Sequence, residues 1–117
     1  MSVLRIEGAT EMKLLETEED FKSWVIDCAH LFGWRLAHFR PGMTQKGWRT
    51  PVEADGGGYP DLTLVRERVI WAEIKSEKGK LSQGQQEWLD TLKAAGQEVY
   101  IWRPGDRDRI QEILARG

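Results

Sequence analysis

Apolar positions first fall at helical spacing after Thr17, where Phe21, Val25, Cys28, Ala29 and Phe32 recur three or four residues apart until Gly33 interrupts them. Thr17 stands at the N-cap, and Glu18, Glu19 and Asp20 follow as acids suited to the positive end of a helix dipole. The spacing predicts a helix over about residues 18–32. Trp34 to Phe39 alternates imperfectly and reads as a short strand stopped by Pro41. Two apolar runs, Leu62 to Val65 and Val69 to Ile74, are separated by Arg66, Glu67 and Arg68 and predict a hairpin. Ser82 caps a second helix through Trp88, Leu89 and Leu92 to Gly96. Val99 to Trp102 is continuously apolar, the pattern of a buried strand. Pro104 and Asp106 open a last helix with Ile110, Ile113 and Leu114 inward.

The order is α-β-β-β-α-β-α, an α/β class in which a mixed sheet is flanked by helices. Residues 1–16 show no strong period, apart from an edge-strand candidate over Val3 to Ile6, and precede one domain over 17–117. From Arg40 to Gly58 the chain has no period and predicts a long loop, a length that is usually functional or mobile.

A chain of 117 residues with 40% apolar and 31% charged positions suits one domain with a real core and one cleft. Its single cysteine, Cys28, excludes an intramolecular disulfide and a multi-cysteine zinc cluster. Lying on the apolar stripe, it reads as a buried thiol in a reducing, cytoplasmic setting. No apolar run approaches the roughly 18 residues of a membrane span, and the acidic N-terminal stretch lacks a signal peptide's pattern. Five of the six tryptophans lie in or beside apolar runs and read as core.

The net charge of −2 argues mildly against a nucleic-acid partner, but its distribution argues for one. Residues 1–34 set Arg5, Lys13 and Lys22 against seven acids, whereas residues 35–51 carry Arg35, Arg40, Lys46 and Arg49 with no acid at all. With His38, these are candidate phosphate contacts, and Trp48 between Lys46 and Arg49 is placed to stack on an unpaired base.

The chemistry concentrates in Gly58-Tyr59-Pro60-Asp61-Leu62 and Ala72-Glu73-Ile74-Lys75. On a strand Glu73 and Lys75 share one face while Ala72 and Ile74 take the other. Pairing the hairpin about Glu67 sets Asp61 opposite Glu73, roughly 5 Å apart at Cβ. Two carboxylates so close repel and call for a cation between them, and oxygen ligands suit Mg²⁺ or Mn²⁺. Lys75, one strand step on, is placed to orient a water or neutralise charge on a phosphate. Taken singly, Asp61 reads as a turn acid, and Glu73 with Lys75 as a solvated face pairing with Arg66 or Arg68. The conjunction points to phosphodiester hydrolysis. Gly56-Gly57-Gly58 reads as a flexible approach to Asp61, since no Gly-Lys-Ser/Thr follows to make a phosphate cradle.

Asp61 followed by Glu73-Ile74-Lys75 after an eleven-residue gap resembles the PD-(D/E)xK nuclease superfamily. Gly58-Tyr59-Pro60-Asp61 and the later Leu81-Ser82-Gln83-Gly84-Gln85 resemble its VRR-NUC branch of stand-alone phage and bacterial nucleases, near the Holliday-junction resolvases. The resemblance implies a restriction-endonuclease-like fold and a metal held by Asp61, Glu73 and the Ile74 carbonyl. It also implies that Lys75 assists catalysis, that Gln85 on the helix after the E-x-K strand supports the site, and that a first-helix acid approaches it. Glu18 is the better match for that acid and Glu19 the weaker. The expected function is a Mg²⁺-dependent DNA endonuclease acting on branched or flapped DNA, with a homodimer implied for two-strand cleavage of a junction. The competing expectation is a non-catalytic nucleic-acid-binding module on the same fold.

Overall fold

The computed structural model describes residues 16–38, 42–44, 47–49 and 54–117. Helix α1 (Glu18–Leu31) begins with a full capping box: the Thr17 hydroxyl accepts from the Asp20 amide, and the Asp20 carboxylate accepts from the Thr17 amide. Then come β1 (Arg35–His38), β2 (Gly42–Thr44), β3 (Gly47–Arg49), β4 (Leu62–Val65) and β5 (Val69–Ile74). Helix α2 (Gln83–Ala94), β6 (Glu98–Trp102), a 3₁₀ turn (Pro104–Asp106) and α3 (Arg107–Ala115) complete the chain.

The main sheet has the order β1-β4-β5-β6. Its first three strands are antiparallel, and β6 returns parallel to β5 after the α2 crossover. The hairpin register is the one expected, with Leu62 opposite Ala72 and Val65 opposite Val69. Leu62, Leu64, Ile70, Ala72 and Ile74 are fully buried and form one cluster with Phe21 and Val25 of α1 and Ile110, Ile113 and Leu114 of α3. The alternation of β5 thereby sends Ile70, Ala72 and Ile74 into the core and leaves Trp71 and Glu73 on the opposite face.

The far end of the hairpin is fixed to α3 by stacked charge. Trp34 is 2% exposed and donates its indole N–H to the Leu114 carbonyl at 2.8 Å. The Arg66 and Arg68 guanidinium carbons lie 4.5 and 5.0 Å from its ring centroid. Arg66 also donates to the carbonyls of Phe32, Leu114 and Arg116, and Arg68 to those of Ile113 and Arg116. Two cations thus satisfy the carbonyls that the end of α3 leaves without helical partners, at the negative end of its dipole.

Two readings of the pattern are corrected. Residues 40–58 are not one loop, because β2 and β3 pair antiparallel as a small separate ribbon, Met43 opposite Trp48. Three-residue strands are too short for a period of two to register. Strand β6 is not a wholly buried strand: it is an edge of the sheet and only Trp102 is buried. A continuous apolar run does not distinguish a central strand from an edge strand that is partly covered by a helix. The candidate strand over Val3 to Ile6 lies outside the described residues.

Replacing Trp34 by Ala removes a buried ring and exposes the arginine-capped end of α3, so it should cost about 3–5 kcal/mol of stability. A urea titration should show a lower midpoint with an unchanged slope; a midpoint within error of wild type would refute this role for Trp34.

Candidate active site

Asp61 is the last residue before β4, and the hairpin register brings it beside the end of β5. Its Oδ2 accepts the Ile74 amide at 2.9 Å, which ties the carboxylate to the end of β5. Glu73 sits on the face away from the aliphatic core yet is only 1% exposed. Its Oε2 accepts from the Gln85 side-chain amide at 3.0 Å, while its Oε1 is buried with no donor to it among the described residues. The reading of Glu73 as a solvated strand face is thereby excluded. Arg66 and Arg68, the partners that reading required, pair with Glu67 and Glu98 instead.

Gln85 serves two structures at once. Its Oε1 accepts the Ser82 amide at 2.8 Å, closing the capping box that starts α2, and its Nε2 reaches Glu73. The cap fixes which end of the amide faces the carboxylate. Lys75 continues the Glu73 face, half-buried, with its backbone amide bonded to the Trp102 carbonyl at 3.0 Å. The turn that follows is held by Arg103, whose Nη1 donates to the carbonyls of Ser76 and Gly79, each at 2.7 Å. Glu77 accepts the Gly105 amide at 3.0 Å in the same turn.

The segment before Asp61 is anchored, not a flexible approach. Gly58 adopts φ +89° and lies so close to α2 that a Cβ there would sit 2.4 Å from the Gly84 carbonyl carbon. A Cβ on Gly84 would meet the Gly57 carbonyl oxygen at 2.9 Å. Only backbone fits between the two. Beside this contact the Tyr59 ring meets Trp88 edge-on at 5.0 Å, its hydroxyl accepts from Trp71 at 3.2 Å, and Trp88 donates to the Asp55 carbonyl at 2.8 Å. The loop, the start of α2 and the Glu73 face of the sheet therefore form one unit.

Burial raises the Glu73 carboxyl first, and the charge of Asp61 and hydrogen bonding with it add, pushing it up to about 9; Lys75 opposes the shift and Glu18 adds to it. Glu18, exposed at the first turn of α1, therefore acts on Glu73 through its charge, whereas Glu19 pairs with Lys22 at 3.7 Å. Lys22 is the residue that the sequence did not nominate. It is 9% exposed, with its ammonium 3.9 Å from Asp61 Oδ1. Nothing in the pattern distinguished it from a solvated helix lysine.

Other nominated residues lie apart. Arg35 is exposed on β1 opposite Val65, about 10 Å of strand from the residue that pairs with Leu62. His38 pairs with Leu62 next to Asp61, half-buried, with Nδ1 unpartnered. Trp48 and Arg49 are on β3, while Arg40 and Lys46 lie outside the described residues. Cys28 is buried, and burial raises its thiol, in keeping with a packing role.

Among the described residues no group of three or more His, Cys, Asp or Glu side chains is arranged to hold a metal ion. The Asp61 and Glu73 pair does suit Mg²⁺, which is commonly bound through one or two carboxylates together with water and substrate phosphate. The buried, unpartnered Glu73 Oε1 is the atom such an ion would satisfy. No helix among the described residues is long and apolar enough to cross a membrane.

Because its native carboxyl is raised, Glu73 contributes stability below its ordinary value near 4.5 and loses that contribution as pH climbs towards 9. In EDTA, Glu73→Gln should therefore be more stable than wild type at pH 8, with the advantage shrinking to nothing at pH 4. Thermal melts of both proteins across that range check it; a pH-independent difference would refute the assignment.

Residues 10–104 match the family model of the VRR-NUC domain. No curated protein and no solved structure matches the chain. The family match and an α/β sheet that brings Asp61, Glu73 and Lys75 together at the ends of its two central strands agree with each other, and the chain belongs to the VRR-NUC family, a nuclease domain of the PD-(D/E)xK superfamily.

Proposed function

We propose that this nuclease is a metal-dependent DNA endonuclease that prefers branched DNA. The observation that carries the metal dependence is the buried Glu73 Oε1 without a partner beside a second carboxylate. Asp61, Glu73 and the Ile74 carbonyl would hold Mg²⁺, or Mn²⁺ in its place, which supplies Lewis-acid stabilisation of charge on the scissile phosphate. Lys75 positions the attacking water and offsets negative charge as the water's oxygen adds to phosphorus and gives a proton to solvent, and the bond to the leaving sugar oxygen breaks as that oxygen takes a proton from solvent. Its charge, and not proton abstraction, is the assigned contribution. Gln85 orients Glu73 by holding Oε2. Glu18 adds negative charge at the entrance.

Arg40, Lys46 and Arg49 grip backbone phosphates without reading sequence, Trp48 stacks on an unpaired base, and Arg35, exposed on one face of β1, and His38, half-buried on the other, are separate further contacts. The support is their clustering in a stretch free of acids. One chain carries one site, so paired cuts at a junction require a homodimer.

Plasmid nicking and labelled duplex, flap and four-way substrates test this reading. Cleavage should need Mg²⁺ or Mn²⁺, stop in excess EDTA, and fall at least about a hundredfold in Lys75→Ala while DNA binding persists. Binding without cleavage under every metal condition would leave the non-catalytic module instead, and full cleavage in EDTA would overturn metal dependence.

Replacing Arg40, Lys46 and Arg49 together by Ala should weaken binding to all duplex sequences alike. The salt dependence should flatten by up to about 0.9 per lost contact. An unchanged slope in a filter-binding titration would place the phosphate grip elsewhere.

A further inference from the structure

Lys22 is charged, nearly buried and unused by the mechanism above. Lysine is rarely buried without a partner, because desolvating an ammonium is costly. Here the neighbours within ion-pair distance are Asp61 Oδ1 at 3.9 Å and Glu19 at 3.7 Å. Of the two acids, Glu19 is 69% exposed on its side chain, so its pairing is screened, whereas Asp61 is 26% exposed. The ammonium is therefore directed at an oxygen of the carboxylate whose other oxygen is already taken by the Ile74 amide. The helix carrying it is anchored by Phe21 and Val25 in the core, which fixes the point from which the Lys22 side chain reaches Asp61.

We propose that Lys22 is the built-in counter-cation of the Asp61 and Glu73 pair, a positioning residue that holds Asp61 while no metal is bound and sets how tightly a metal binds. The inference rests on the metal-dependent reading above. An ammonium facing a carboxylate oxygen compensates the repulsion that two adjacent acids create, and it repels a divalent ion that uses the same carboxylate. The arrangement lowers metal affinity in exchange for an acidic site that is ordered before the metal arrives. Lys75 does not duplicate it: Lys75 follows directly after β5 and acts on Glu73, whereas Lys22 reaches Asp61 from α1.

The test is metal binding and metal-free stability in Lys22→Met, which keeps the aliphatic stem and removes the charge. Isothermal titration with Mn²⁺ at pH 8 should show binding about tenfold tighter than wild type, the scale of one positive charge near a divalent ion in water-like dielectric. Thermal melts in EDTA should show a lower Tm than wild type, with a larger rise on adding Mn²⁺. Lys22→Arg, which retains charge, should return the affinity towards wild type. Unchanged or weaker Mn²⁺ binding in Lys22→Met would overturn the inference. Should Lys22→Met not fold, Glu19→Gln on the exposed side of α1 supplies the second measurement. Without its competitor acid, Lys22 is held more closely by Asp61, so Mn²⁺ binding should weaken severalfold, and unchanged affinity would count against the proposal. Wild-type protein that binds no Mn²⁺ would sink the metal reading itself, whereas wild-type binding with no effect of the substitutions would sink only the role of Lys22.

Discussion

The adjacency of Asp61 and Glu73 is the constraint that the surrounding structure answers. Two carboxyls at one end of a hairpin, one of them almost wholly buried, form an unfavourable arrangement unless charge is removed or compensated. Each neighbour supplies part of the compensation. The Ile74 amide and the Lys22 ammonium attend Asp61, and the Gln85 amide attends Glu73. Proton uptake by Glu73 supplies another part when nothing else does. What remains is one oxygen, Glu73 Oε1, with no partner among the described residues. A buried carboxyl oxygen without a donor, next to a second carboxyl, differs in kind from the buried ring nitrogens of His38 and Trp102 that also lack partners, because it carries the negative charge that a cation offsets.

Holding that arrangement takes more than the sheet. The hairpin supplies register, but the carboxyls would swing without the elements on either side. Arg103 pins the turn after Lys75 by its carbonyls, and backbone packing of Gly58 on Gly84 pins the loop before Asp61. At the other end of the hairpin, Trp34 with Arg66 and Arg68 ties the strands to α3. Site geometry is thus fixed from both ends of the same pair of strands.

Much of this was legible in the sequence because it follows from short periods. The helix ends were announced by Thr17 and Ser82, and the register of Asp61 opposite Glu73 followed from a turn centred on Glu67. Side-chain alternation then placed Glu73 and Lys75 together. What remained hidden was of another kind. The β2 and β3 ribbon is too short to produce a pattern, and the apolar run of β6 hides its edge position. Lys22 and Arg103 matter through contacts far along the chain, with Asp61 and with the turn after Lys75, and a charged residue carries no periodic signal of its partner. Gly58 was visible as a glycine, but its purpose depended on a second glycine in α2 that only the packing brings near.

The double duty of Gln85 makes the beginning of α2 a sensor of the acid pair. One side chain closes the helix cap through Oε1 and holds Glu73 through Nε2, so any change that pulls Glu73 Oε2 away also pulls on the first turn of the helix. Gln85 therefore cannot turn away from Glu73 without also giving up the cap of α2. That first turn includes Gly84, on which the loop leading to Asp61 rests. One helix end thus touches the supports of both carboxyls.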